Sequence, residues 1–555
     1  MPQPSASSTK NGATGEFDAI IVGAGVGGLY ALHRLRRQGL NVIVIEAGSN
    51  VGGTWYWNRY PGCRCDVESM EYSYSFADDL QQEWQWPERY GTQPEILRYI
   101  NHVADRFDLR RDIRFDTRVL AAKFDAVGNR WTLKTDKGEP VTAQFCIMAT
   151  GNLSLPRVPD FPGLESFKGN WHHTGLWPHE GVDFTGQRVG IIGTGSSGVQ
   201  SIPLIAKQAK HLHVFQRTAN FSLPARNAPL DPEKERKHKA EYPARRLAAY
   251  DTPFGIAGFP PPVKSALEAS AEERDAAYEA KWAEGGSISF LYAYNDLLVN
   301  KAANDTASEF VRNKIRATVK DRGVAELLAP KDHPIGTKRL ILDSNYYETY
   351  NSDNVTLVDA RSAPIEGITE AGIRTTEAEY EFDAIVFATG FDAMTGALLD
   401  IDLSGSNGTQ LRDKWMDGPR SYLGLTMADF PNMFLITGPQ SPSVKAQMIL
   451  ACEQHTDWIV DCISHMKATG MARIETTQQA EDDWVQHNNE VADSTLYPLA
   501  NSWYMGANIP GKPRIFMPYV GGFDRYKRTC DEVVANNYEG FTFTAAKTPA
   551  LAQSQ

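Results

Sequence analysis

The chain has no cysteine framework, no long apolar run and no surplus of positive charge. Its six cysteines, Cys63, Cys65, Cys146, Cys452, Cys462 and Cys530, are scattered over 555 residues. Only the first two are close, as C-x-C, which is neither the redox C-x-x-C nor a zinc spacing. They are expected to be reduced thiols in a cytoplasmic protein, with no metal site. No apolar stretch approaches the roughly 20 residues that cross a bilayer, so no membrane association is expected. The opening MPQPSASSTKNGATGE has no apolar segment and no Arg, which argues against a secretory or transit leader. Residues 1–16 and 542–555 are expected to be disordered tails. A net charge of −12 argues against nucleic acid as a partner.

What is present is an ordinary globular composition, 42% hydrophobic and 22% charged, and enough chain for several domain-sized units. Residues 17–22 (FDAIIV) predict a buried parallel strand. Gly23-Ala-Gly25-Val-Gly-Gly28 follows, then a helix with Leu29, Leu32 and Leu35 on one face and Gly39 placed to end it. NVIVI (41–45) predicts the next strand, with Glu46 at its tip. The pattern returns as RVGII (188–192), Gly193-Thr-Gly195-Ser-Ser-Gly198, a helix that Pro203 should kink, and HLHVF (211–215). The expected fold is α/β, with two Rossmann-like dinucleotide-binding domains and an all-helical insertion. The Ala-, Glu- and Lys-rich residues 225–330 form the insertion. The first nucleotide domain is placed at 17–152 and 385–541, the second at 153–224 and 331–384. Two similar stretches, CIMATG and IVFATG, mark where the chain crosses between them.

A single G-x-G-x-x-G is a weak signal, since any tight strand-to-helix turn can carry one. Here each has a strand before it and a helix after it, so backbone N–H groups and the helix dipole can hold a pyrophosphate. Glu46, 18 residues after Gly28, can accept hydrogen bonds from both ribose hydroxyls. The same offset from Gly198 lands on Gln216, with Arg217 next to it and no acid. A carboxylate there would repel a 2′-phosphate, whereas Arg pairs with it. The first unit is therefore read as the FAD site and the second as an NADPH site. Disulfide reductases share this pairing, but no C-x-x-x-x-C follows the first unit, so electrons are expected to go to dioxygen or another acceptor.

Between the two turns stands FKGNWHHTGLWPHE. Phe167, Gly169, His173, Trp177 and Pro178 match the F-x-G-x-x-x-H-x-x-x-W-[P/D] fingerprint of type I Baeyer–Villiger monooxygenases at every defined position. Flavin-containing N- and S-oxygenases carry a related pattern, usually with Phe or Tyr at the last aromatic position. From residue 17 to 541 the chain resembles that family, and within it the phenylacetone monooxygenase branch, through GGTWYWNRYPGCRCDVES, FQRT, GTKRL, ATGFDA, TGPQSPS and SWYMGANIPGK. The resemblance implies FAD- and NADPH-dependent insertion of one oxygen atom of O2 beside a ketone carbonyl, through a flavin C4a-peroxide, giving an ester or lactone. It also implies sulfoxidation of thioethers.

By the same resemblance Arg339 is the fixed charge beside the peroxide and the developing alkoxide, and Asp66 orients it. Thr54, Trp55, Arg64, Tyr72, Val119 and Met448 lie at the flavin. Thr194, Ser196, Ser197, Gln200, Arg217, Thr218, Lys338 and Trp503 lie at NADPH. Val67, Leu153, Leu340, Ser443, Val444, Lys445 and Met448 form the substrate pocket. Lys445 departs from the apolar residue usual there, so it either turns to solvent or makes the pocket more polar. A monomer is expected. Two rival readings remain: a flavin N- or S-oxygenase, and a catalytically silent FAD/NADPH-binding redox sensor.

Overall fold

The computed structural model describes residues 16–545; most of the two expected tails lies outside these. The first nucleotide unit is built on an eight-stranded sheet. Its parallel centre is Val141–Met148, Glu16–Val22 and Val42–Ile45. Ala19, Ile20 and Ile21 on the middle strand are fully buried, because helices cover one face and an antiparallel hairpin, Val119–Asp125 with Arg130–Thr135, extends the edge. The helix Val26–Arg37 buries Leu29, Leu32 and Leu35 as the 3.6-residue period predicts, and Gly39 follows it at φ +75°. It packs on the long helix Met448–Thr469, which returns to this unit from the far end of the chain.

The second unit is a five-stranded, all-parallel sheet in the order Val355–Asp359, His211–Gln216, Arg188–Ile192, Ala384–Phe387, Asn170–His173. Its helix Ser196–Gln208 runs continuously with Pro203 inside it. Three expected boundaries move. Ala384–Phe387 belongs to this second sheet, not to the first unit, because it pairs in parallel with Arg188–Ile192 on one side and Asn170–His173 on the other. Glu16 is already in the first strand, opposite Thr142. Residues 542–545 are not a tail: Phe541–Ala545 pairs antiparallel with Met471–Thr476.

Between the units lies the insertion, with helices Pro232–Ala249, Ala271–Glu284, Ser287–Leu291, Lys301–Thr318 and Arg322–Leu328. Its longer helices start at side-chain caps: Asp231, Ser270 (in a capping box with Glu273) and Asn300 each accept backbone N–H groups that the first turn leaves free. The insertion docks on the first unit through an ionic cluster. Glu71, 4% exposed, faces Arg245 Nε at 3.1 Å and His238 Nε2 at 3.4 Å, and its carbonyl accepts from Arg246 Nη1 at 2.9 Å. Burial works to raise the Glu71 pKa, but His238, Arg246 and Arg245 together hold it down to about 2.

Candidate active site

Both glycine turns are built alike. Gly23 sits at φ +105° and Gly193 at φ +110°, a backbone region that L side chains avoid. A Cβ on Gly28 would strike the Gly23 carbonyl oxygen, and one on Gly198 the Gly193 carbonyl oxygen, so the last glycine of each motif serves the packing of helix on turn. The middle glycine differs. A Cβ on Gly195 would meet no protein atom within 4 Å. Nothing in the protein demands glycine there, and the open space suits a pyrophosphate approaching the backbone. Gly25 and Gly195 are also the N-caps of their helices, without any side-chain cap, so the first N–H groups remain for a ligand. The residues fit two dinucleotides.

Glu46 is buried, and its two carboxylate oxygens accept from Ala24 N at 2.6 Å and Gly48 N at 2.7 Å. Burial raises its pKa, and the two backbone donors work against that rise. The acid is thus fixed beside the first turn. In the second unit Gln216 turns away: its Nε2 donates to the Leu327 carbonyl of the insertion at 2.8 Å. Arg217 is the cation left at the rim.

The two turns open into one cavity of about 1070 Å³. Gly23, Gly25, Glu46, Thr54, Trp55, Arg64, Tyr72, Val119 and Met448 line its first half, and Gly193, Thr194, Gly195, Ser196, Ser197, Gln200, Arg217, Thr218 and Lys338 its second. Trp55 Nε1 donates to the Tyr72 hydroxyl at 3.1 Å, which fixes that wall. Arg64 sends its guanidinium to Glu88 and to the Tyr90 carbonyl, while its backbone meets Gln200 across the seam, the Gln200 amide donating to Arg64 O at 3.1 Å. Thr194 Oγ1 donates to the Thr218 carbonyl at 3.1 Å. Burial pulls the Lys338 pKa down, as do the charges of Arg217 and Arg361, against Asp332.

Where the halves meet, Arg339 forms a two-point pair with Asp66: Nε to Oδ2 at 2.7 Å and Nη2 to Oδ1 at 2.6 Å. Its Nη1 donates to the Val444 carbonyl at 2.7 Å. Burial alone would weaken its charge, and the Asp66 carboxylate together with Tyr504 more than offsets it, so Arg339 stays a cation. Asp66, Arg339, Val67, Leu153, Val444 and Trp503 all line the cavity at this junction.

Three expected pocket residues lie elsewhere. Leu340 is buried in the core of the second unit. Ser443 is fully buried and its Oγ accepts from Asn152 Nδ2 at 2.8 Å. Lys445 neither reaches solvent freely nor lines the cavity: its Nζ lies 4.2 Å from the Tyr497 ring centroid and 4.8 Å from that of Tyr504, a cation–π seat behind Arg339. Burial and the nearby Arg339 push its pKa down to about 7.

The fingerprint segment is a strap between these parts. A Cβ on Gly169 would lie 2.5 Å from the Asp383 carbonyl oxygen and 2.6 Å from the Phe167 ring, so the glycine lets the strap run close against the second sheet with that ring folded back. His173 is 1% exposed; its Nδ1 accepts from Gly175 N at 3.0 Å and its Nε2 lies 3.2 Å from Thr389 Oγ1. Thr389 already donates to the Arg157 carbonyl, so Nε2 carries the proton. Burial drives His173 down to about 4, which leaves it neutral and suits a linker better than a proton carrier. Thr174 Oγ1 donates to Ser197 Oγ at 3.2 Å in the second glycine turn. Trp177 is buried against His172 and Phe184, and its carbonyl accepts from Arg59 Nη1 at 3.3 Å, close to the Thr54–Trp57 helix that walls the first half. Pro178 follows in a shallow surface cleft beside Arg59. Arg59, Asn152 and Thr389 carry no signal in a single sequence; only the fold brings them to the strap and the seam.

Residues 20–244 match the family model described as pyridine nucleotide-disulphide oxidoreductase. A Baeyer–Villiger monooxygenase of Pseudooceanicola batsensis is 45% identical over 94% of this chain and 95% of its own. The solved structure of an oxidized steroid monooxygenase bound to NADP is 55% identical, covers 96% of this chain and 100% of its own, and superposes with TM-score 0.91. OTEMO, solved as a complex with FAD and NADP, is 43% identical over 95% of this chain and 99% of its own, with TM-score 0.92. The chain therefore belongs to the Baeyer–Villiger monooxygenases, flavoproteins that use FAD and NADPH.

Proposed function

We propose that the chain converts ketones to esters or lactones, and that Arg339 and Asp66 are the residues that make the insertion possible. The overall reaction balances as ketone, dioxygen, NADPH and a proton giving ester, water and NADP+. When bound, FAD supplies the redox chemistry, taking hydride from NADPH and passing electrons to dioxygen. The chain's own task is to hold the nucleotides, exclude water and keep a fixed positive charge where negative charge gathers on oxygen. Arg339 meets that demand because it cannot lose its proton near neutral pH, and Asp66 holds its plane in one orientation. The observation that carries the reading is the two-point Arg339–Asp66 pair, placed where the two nucleotide halves of one cavity meet.

Glu46 would hold the ribose of FAD, and Arg217 with Lys338 the 2′-phosphate of NADPH. Val67, Leu153, Val444 and Met448 give the junction an apolar wall, which favours cyclic, aryl or long-chain ketones. Trp503, its ring centroid 4.2 Å from that of Tyr504 and tilted 50° to it, would cover the nicotinamide half. Thioether sulfoxidation follows from the same oxygen donor. A reducing compartment fits six buried thiols with no disulfide among them, and the expected monomer is part of the same proposal.

The experiment is a panel of ketones, thioethers and amines incubated with the FAD-loaded protein, NADPH and 18O2, with products identified by mass spectrometry. Esters carrying one labelled oxygen are expected from ketones. Labelled products from amines alone would favour the N-oxygenase, and NADPH consumption independent of every substrate would remove the reading.

A further inference from the structure

Arg361 follows the edge strand of the second unit, and no motif marks it. The strands His211–Gln216 and Val355–Asp359 are parallel neighbours with Gln216 opposite Asp359. Ala360 N donates to the Gln216 carbonyl at 3.0 Å, so the register holds to the end of both strands. The residues that come next, Arg217 on one strand and Ala360-Arg361 on the other, leave the sheet side by side. They leave it at the carboxyl ends, where open α/β sheets bind their ligands. Ala360, Pro364 and Ile365 line the same cavity as Arg217 and Lys338.

The Arg361 guanidinium is braced from the opposite side. Its Nη2 donates to Asp332 Oδ2 at 2.8 Å, while Asp332 Oδ1 faces His333 Nδ1 at 2.7 Å. The His333 ring is buried against Phe221. Asp332 is held well below the usual carboxylate range by His333 first, with Lys338 and Arg361 contributing. Burial keeps His333 itself below its ordinary value. Asp332 has therefore two anchors, and Arg361 retains free N–H groups because its side chain is 61% exposed.

We propose that Arg361 is a third cation for the 2′-phosphate of NADPH, beside Arg217 and Lys338, and that Asp332 is the positioning residue that aims it. The proposal rests on the reading of Arg217 and Lys338 given above. Charge supports it. Three cations less the carboxylates of Asp332 and Asp359 leave one positive charge, offered to a phosphate monoester that carries about −1.5 to −2 at neutral pH. The competing account is an exposed ion pair of no consequence for binding.

Titration calorimetry on the FAD-loaded protein separates the two. The probes are 2′,5′-ADP, which carries the 2′-phosphate, and 5′-AMP, which does not. Arg361→Ala is expected to weaken 2′,5′-ADP on the order of tenfold and leave 5′-AMP unchanged. Arg217→Ala, run alongside, is expected to do the same. If Arg217→Ala removes the preference for 2′,5′-ADP and Arg361→Ala does not, the third cation is wrong and the reading of the second unit stands. Equal weakening of both probes by Arg361→Ala would mean that the residue only shapes its loop. If neither variant changes either probe, both readings fall together.

Discussion

The two nucleotide units share a turn and differ at the strand tip beyond it. In the first, Glu46 is locked by Ala24 and Gly48 and faces the cavity. In the second, Gln216 is spent on the insertion's Leu327, and the rim passes to Arg217. The insertion treats the units just as differently. It grips the first through the charged cluster around Glu71 and the second through neutral hydrogen bonds such as Gln216 to Leu327. One turn geometry, used twice, thus carries an acid at the first strand tip and a cation at the second, which under the proposed reading serve FAD and the 2′-phosphate of NADPH. The chemistry is placed at the seam, where Asp66 of one unit holds Arg339, which leads into the other.

The comparison can be broken at several points. The largest effect is expected at Glu71. Replacing it with Ala leaves Arg245 and Arg246 without their buried carboxylate, at a cost of roughly 3–5 kcal/mol in chemical denaturation. The Glu71 pKa is depressed, so its contribution is full above the ordinary Glu pKa of about 4.3 and is lost as pH falls toward 2. Wild type should lose stability across that acid window and Glu71→Gln should lose less; equal slopes would contradict the cluster's role.

Next comes Glu46→Gln. An amide cannot offer two acceptors to Ala24 and Gly48, so about 1.5–3 kcal/mol of ordering at the first turn is lost. The expected outcome is faster FAD release on gel filtration, with 2′,5′-ADP binding unaffected. A loss shared by both nucleotides would erase the distinction between the units. Arg217→Ala should raise the KM for NADPH about tenfold or more and leave that for NADH nearly unchanged, the worth of one charge-assisted contact.

The smallest effect concerns Lys445. Its pKa is depressed to about 7, so between there and the ordinary value of about 10.4 the unfolded chain binds more protons and stability rises with pH. Lys445→Met should therefore stabilise on the order of 1 kcal/mol at pH 6, discounted for partial exposure, and less at pH 9. Melting curves at both values check it; a pH-independent difference would mean that the ammonium is not confined on its two tyrosines.

Much of this is legible in the sequence. The two turns, the acid at Glu46 and the missing acid at Gln216 follow from strand-to-helix periodicity and a fixed offset, because both are local. The Arg339–Asp66 pair is not local, being 273 residues apart, and only the resemblance joined it. Domain edges failed where pairing is long-range: Ala384–Phe387 reads as the entry to one unit and pairs in the other. Lys445 could not be placed because no sequence pattern encodes the two tyrosine rings it rests on, 52 and 59 residues further along. The same is true of Arg361, whose neighbourhood depends on strand register.

The central claim is that the seam cation acts after the flavin is reduced. It is tested most directly by Arg339→Ala followed in stopped flow with NADPH, then with air-saturated ketone and product analysis by mass spectrometry. The account predicts that NADPH still bleaches the flavin while ester formation falls by roughly 10²–10³-fold, as when one preorganised donor is removed from an active site. Ester formed at the wild-type rate by this variant would contradict it.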